Sequence, residues 1–529
     1  MDVNRTAVPI RYAPLILHLS FYATTCFIGA LLFYFGYGPF LLLVDYFSGI
    51  AIPVPYPKEH ARDLLLLLFV APLMLSIGYA IAIRYRLKAL EKFIGVLEGK
   101  SDHTIPKWFP LIIFAVLAVL GSVAVARGGG FDHLGAWNNY GVWVQARWAL
   151  FATLGFFSFV NLYTLLAVAT AWVYLACPMK GMGGWMLRAL CLALLLLLAF
   201  FLFQKRVLVT SLLFIIFVVV LHRVLEFGWE RNVKRLLLFS IVAVTCLYFL
   251  LVVAPVYSTS SQTADQVIQQ AADKIDSEIS ESSEEKLPAL NGKGSDTPVS
   301  SDPLSIHTPA QSKAQAQAQA QTKAKLHEEA KAKAKADEQI RNEQREKGIH
   351  GLLGSQRSLH VFFYSLLAPM TRTSAPAMFY PIIFPSNHAF YGFDFGQDIL
   401  GIGAMPDDNK IVWQHMYPDT PGGSIAAPFQ FVLYSQVGIL GTILLCFIFG
   451  CVIGGLWRVV IEGRGDRVWR SLMGGILLMF SGYMALDSVR GSLLASYGVI
   501  WGWIFIILAF QIGRKFGRSA PQPVVSKGE

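Results

Sequence analysis

The chain is built around uninterrupted apolar runs of about 20 residues, the length a helix needs to cross the hydrocarbon of a bilayer. They do not alternate in polarity over segments of about 10 residues, so a transmembrane barrel is excluded. They are not spread at amphipathic spacing either, so a water-soluble globule is excluded as well. With 55% hydrophobic and only 15% charged residues, the composition agrees. The expected fold class is all-α, a polytopic helical membrane protein with one large external loop.

Ten spans are expected, at 13–35, 63–83, 109–126, 149–176, 186–203, 207–222, 236–256, 429–456, 471–489 and 493–513, with a count of eleven or twelve left open. Between the fifth and sixth, Gln204-Lys205-Arg206 is read as a tight turn, because buried unpaired charge at the centre of one long helix costs several kcal/mol. An even number of spans puts both termini on one side. That side collects 22 Lys and Arg, whereas the opposite short loops hold seven: Lys58, Arg62, Arg127, Arg147, Lys205, Arg206 and Arg490. By the positive-inside rule the termini are cytoplasmic and the long 257–428 segment is external. Topology therefore accounts for most of the +10 net charge, and no nucleic-acid partner is implied.

Four regions follow: an N-terminal bundle at 1–257, a low-complexity insertion at 258–350, an aromatic-rich loop at 351–428 and a C-terminal bundle at 429–529. From Ser258 to Val361 no Phe, Tyr or Trp occurs, which denies the insertion a sizeable core. Its Ala/Gln/Lys/Glu-rich part favours helix without an apolar stripe and reads as a spacer or a partner-binding arm. At Phe362 the composition reverses. Twelve aromatics fall within 362–417, among Arg372, His388, Asp394, Asp398, Asp407, Asp408 and His415. Aromatic faces beside acidic groups suit sugar rings, which have an apolar face and a polar rim. They equally suit an interfacial lid lying on the bilayer.

Arg147, Arg206, Arg372 and Arg490 are all expected at or near the outer boundary, where a planar fork of donors can hold a diphosphate or snorkel to headgroups. Asp487, three residues before Arg490, is the expected ion-pair partner on one helix face. Candidates for a general base are His415, His388, Asp394 and Asp487, with His133 weaker. The six cysteines show neither a disulfide framework nor metal-ligand spacing. No phosphate-cradling loop, dinucleotide fingerprint or metalloprotease helix is present. The inner loops are too short for a cytosolic catalytic domain, so any chemistry draws on the outer face.

This layout resembles that of the Wzy-type O-antigen and oligosaccharide repeat-unit polymerases, relatives of the O-antigen ligases. Three pieces carry the likeness: Gln204-Lys205-Arg206-Val207 opening an apolar helix, Asn138-Asn139 with Arg147 before the fourth span, and Phe431-Val-Leu-Tyr-Ser-Gln-Val-Gly438-Ile-Leu-Gly441. Pro428 stands where the ligase branch usually has His, which lowers the ligase alternative. The resemblance implies inverting transfer of a glycan from undecaprenyl diphosphate at the periplasmic face of the bacterial inner membrane, without metal or cofactor. It also implies a lipid-linked glycan substrate, the bilayer, and a chain-length regulator or other polysaccharide-export proteins as partners. The expected roles are catalysis for His415, Arg206 and Arg147, and substrate binding for Arg372, Arg490, Asp394, Asp487 and Asn139. The remaining alternatives are a flippase for lipid-linked glycans and a binding or scaffold role with the Ala/Lys arm as the working part.

Overall fold

The computed structural model describes residues 8–38, 40–41, 55–85, 88, 92, 105–129, 131, 156–176, 181–201, 205–228, 234–235, 373–398, 407–418, 425–463, 466–495 and 499–517. The expected span 236–256, the insertion at 258–350, and Asn139, Arg147 and Arg372 lie outside them, as does the side chain of Arg206. Among the described residues the fold is all-helical, and six helices are long and apolar enough to cross a membrane.

In chain order the main helices are α1 (Ala13–Tyr34), α2 (Lys58–Arg84), α3 (Phe109–Arg127), α4 (Phe156–Ala176), α5 (Gly181–Phe200) and α6 (Lys205–Phe227). There follow α7 (373–383), α8 (Asp408–Met416), α9 (Phe429–Glu462), α10 (Arg467–Tyr483) and α11 (Val499–Lys515). The fifth and sixth are separate helices that pack against each other. α1 and α2 each carry one wide, π-helical turn, at Ala23–Phe27 and Leu66–Val70.

One end of the bundle is pinned by polar contacts that only neighbouring helix ends can make. The Trp457 indole donates to the Ile10 carbonyl, Arg458 Nη1 to that of Ile83, and the Tyr79 hydroxyl to that of Arg11. His222 Nδ1 lies 3.2 Å from Ser471 Oγ at the same end. Aromatic stacking ties in α4 and α11, with Trp172 parallel to Phe510 at 4.5 Å. We refer to this as the basic end, after Arg84, Arg458, Arg470 and Arg514.

α2 and the second part of α9 form a parallel seam in which glycines let backbones touch. A Cβ on Gly450 would lie 2.1 Å from the Leu75 carbonyl oxygen, one on Gly454 2.7 Å from that of Tyr79, and one on Gly78 2.1 Å from that of Phe447. Such small-residue seams are how membrane helices gain van der Waals contact where the hydrophobic effect offers little.

α9 is not one straight span. Gly438 adopts φ 67°, ψ −173°, a region open in practice only to glycine. The rings of Phe429 and Phe449 meet edge-on at 6.1 Å, although 20 intervening steps along a straight helix would separate them by about 30 Å. Residues 429–437 therefore rise as a short re-entrant helix, turn at Gly438, and descend as 439–462. The expected uninterrupted span at 429–456 is corrected accordingly. The carbonyls freed by the break accept hydrogen bonds from a neighbouring loop, Tyr391 N to Ser435 O at 3.0 Å and Gly392 N to Gln436 O at 2.8 Å. Bilayer interiors allow broken helices only where such substitutes exist.

α7, within the stretch expected to be an external aromatic loop, is a buried helix. Every residue from Thr373 to Pro381 is buried, as are Ile383 and Phe384. A helix apolar on all sides belongs inside a bundle. Thr373 Oγ1 donates to the Thr25 carbonyl within α1, and the Tyr56 hydroxyl to that of Met378. Phe379, Tyr380 and Phe384 thus pack within the protein rather than on the bilayer surface.

Candidate functional site

α10 and α11 are each 17 residues long, about 26 Å, and so stop short of the height that the 27-residue α2 reaches from the same end. Met484, at the top of α10, offers its carbonyl to the backbone N–H of Phe429, and Ser481 offers its own to His18 Nδ1 within α1. Above that level the bundle holds a cleft.

One wall is a single face of the re-entrant helix, where Phe429, Val432, Leu433 and Gln436 recur at three- and four-residue spacing. The connection between α10 and α11 also lines the cleft, bringing Asp487, Ser488 and Arg490. The segment 425–427, Phe393, and Asp408 with Asn409 at the start of α8 close the remainder. The site thus gathers one guanidinium, two carboxylates and two carboxamides from three separate stretches of chain.

Asp408 is 5% exposed. Its Oδ2 accepts from the Tyr380 hydroxyl of α7 at 2.9 Å, and the Ser435 hydroxyl lies 3.2 Å from the same oxygen. Burial first, and the Asp408 carboxylate next, push the Tyr380 phenol well above its ordinary value, so it stays protonated and able to donate. The next turn of the re-entrant helix is fixed by Tyr434, whose hydroxyl lies 2.9 Å from both Asp63 Oδ2 of α2 and the Phe384 carbonyl.

Asp487 and Arg490 both line the cleft but do not share a helix face. α10 ends at Tyr483, Asp487 occupies the turn beyond it, and Arg490 lies just before the π-helical turn Gly491–Ala495. Asp487 Oδ1 accepts from the Ser488 N–H, and its carboxylate lies so close over Gly491 that a Cβ there would approach within 2.5 Å. The shared helix face expected from the i, i+3 spacing is replaced by a turn.

The other sequence candidates stand apart. His415 is exposed and meets Phe379 edge-on at 5.6 Å, away from the cleft lining. His388 is held over Tyr391 and Phe384. Asp394 accepts from the Gly396 N–H in a local turn. Arg206 opens α6 in its first turn. Asp408, named in the sequence only as one acid of the aromatic stretch, and Gln436, passed over there, are the additions. Asp408 stands there beside a second aspartate, Asp407, which takes the ordinary role of pairing with Lys410 at 2.9 Å.

No family model, curated protein or solved structure matches the chain.

Proposed function

We propose that this protein is a membrane glycosyltransferase that joins undecaprenyl-diphosphate-linked oligosaccharide repeat units into a surface polysaccharide at the periplasmic face of the bacterial inner membrane. The observation that carries this reading is Arg490 set with Asp408, Asp487 and Gln436 along one cleft that begins below the rim of a helical membrane bundle. Ionisable groups at membrane depth are expensive and are kept for substrates rather than for packing. A lipid diphosphate brings its anionic group to that depth, and a guanidinium fork matches it with two parallel hydrogen bonds. As the glycosidic bond to the diphosphate breaks, charge grows on the departing oxygen, where fixed positive charge lowers the barrier. The Asp487 carboxylate and the Gln436 carboxamide accept hydrogen bonds from sugar hydroxyls. The resemblance to repeat-unit polymerases, including Gly438 and Gly441, supports the same choice, and the basic end then faces the cytoplasm.

The test is reconstitution in liposomes with purified undecaprenyl-diphosphate repeat units, followed by sizing of the glycan. Chain growth is expected, falling roughly 100-fold or more in Arg490→Ala and substantially in Arg490→Lys, because a point charge cannot replace the fork. Absence of longer glycans with the wild-type protein overturns the proposal. The re-entrant turn at Gly438 favours a second reading, a flippase for the same lipids, since broken helices also mark transport sites. That reading predicts movement of lipid-linked glycan across the bilayer with its length unchanged.

A further inference from the structure

Resting on the glycosyl-transfer reading above, we infer that Asp408 is the general base that activates the acceptor sugar hydroxyl, and that Tyr380 is its positioning residue. Asp408 opens α8, lies buried, and still reaches the cleft shared with Arg490. Tyr380 comes from α7, the helix wedged between the first two spans and the re-entrant helix, and its hydroxyl fixes Oδ2 at 2.9 Å. Ser435, on the re-entrant helix itself, bounds the same oxygen at 3.2 Å while lying 2.7 Å from the Val432 carbonyl. Three elements thus converge on one carboxylate oxygen. The arrangement orients the carboxyl group as a triad orients its imidazole, by holding one side of it so that the other is presented in a fixed direction.

The step balances as follows. The acceptor O–H gives its proton to the Asp408 carboxylate while the hydroxyl oxygen forms a bond to the anomeric carbon. The bond from that carbon to the diphosphate oxygen breaks on the opposite face, and its electron pair leaves with undecaprenyl diphosphate beside Arg490. Asp408 then returns the proton to water. Base and leaving-group stabiliser must flank the anomeric carbon from two sides, and Asp408 and Arg490 reach the same cleft from different elements, α8 and the α10–α11 connection.

The experiment measures steady-state polymerisation and donor-lipid binding on the full-length protein in liposomes. Asp408→Asn, which keeps shape and removes the accepting charge, is expected to lower kcat roughly 100- to 10,000-fold while retaining the wild-type Kd for undecaprenyl-diphosphate repeat units. Retained binding shows that the variant is folded. Tyr380→Phe is expected to lower kcat roughly 10-fold, leave KM unchanged and shift the pH profile of kcat, which loss of packing alone does not do. Asp408→Asn with undiminished kcat, in a preparation whose wild-type protein polymerises, overturns this inference and leaves the glycosyl-transfer reading intact. No polymerisation by the wild type, with donor binding present, overturns that reading instead. Should Asp408→Asn fail to bind donor, Asp408→Glu, which keeps the charge and moves it by one methylene, decides the matter: measurable kcat supports the assignment, and none with donor bound refutes it.

Discussion

The ring of Phe390 lies where the side chain of residue 438 would have to go: a Cβ on Gly438 would sit 3.2 Å from two of its carbons. Phe390 in turn meets Tyr434 edge-on at 5.6 Å, so one aromatic side chain covers both the turn and the helix leading into it. Gly438→Ala therefore combines a positive φ with a crowded site and is expected to cost about 1–3 kcal/mol. Thermal unfolding in detergent checks this. Adding Phe390→Leu should recover only the crowding, and an alanine variant as stable as wild type would remove the turn from the fold.

Bridging chemistry distinguishes a re-entrant helix from a straight one. Cysteines placed at Phe429 and Phe449 in a background lacking the native thiols should join through a short bismaleimide. A straight helix would hold the two positions about 30 Å apart and give no product.

Alkaline pH should weaken the loop that covers the Gly438 break. The Tyr391 phenol is pushed up to about 12, chiefly by burial and then by the charges of Asp408 and Asp407. Its ordinary value is about 10, so the unfolded chain releases this proton first. The neutral phenol's contribution is complete below pH 10 and disappears as pH rises from about 10 to 12. Melting temperatures across that range should fall more steeply for wild type than for Tyr391→Phe, and equal slopes would contradict the assignment.

His415 offers a check on the corrected site. It is exposed on α8 and outside the cleft lining. His415→Ala is expected to change polymerisation by less than about threefold, as surface substitutions away from a site usually do. A loss comparable with that of Arg490→Ala would return the base to the histidine first favoured by the sequence.

The helices were legible because membrane crossing leaves a signal of length and polarity that needs no knowledge of neighbours. Arg490 and Asp487 stood out for the same reason, as charges between apolar runs. The turn at Gly438 did not, since a glycine among Val437, Ile439 and Leu440 looks like any small residue in a span. α7 was hidden by its Pro, Thr and Ser, which suggest a loop until Thr25 and Tyr56 are seen taking their hydrogen bonds. Asp408 was hidden by Asp407, because only the fold decides which of two adjacent carboxylates turns inward.

The glycine seam of α2 with 439–462 joins parts of the chain separated by more than 350 residues, with the whole low-complexity insertion between them. Because that union is made by backbone surfaces in close apposition, covalent continuity through the insertion is dispensable to it. Two polypeptides, ending and beginning within 262–347 and made in the same cell, should find each other and assemble into one working molecule.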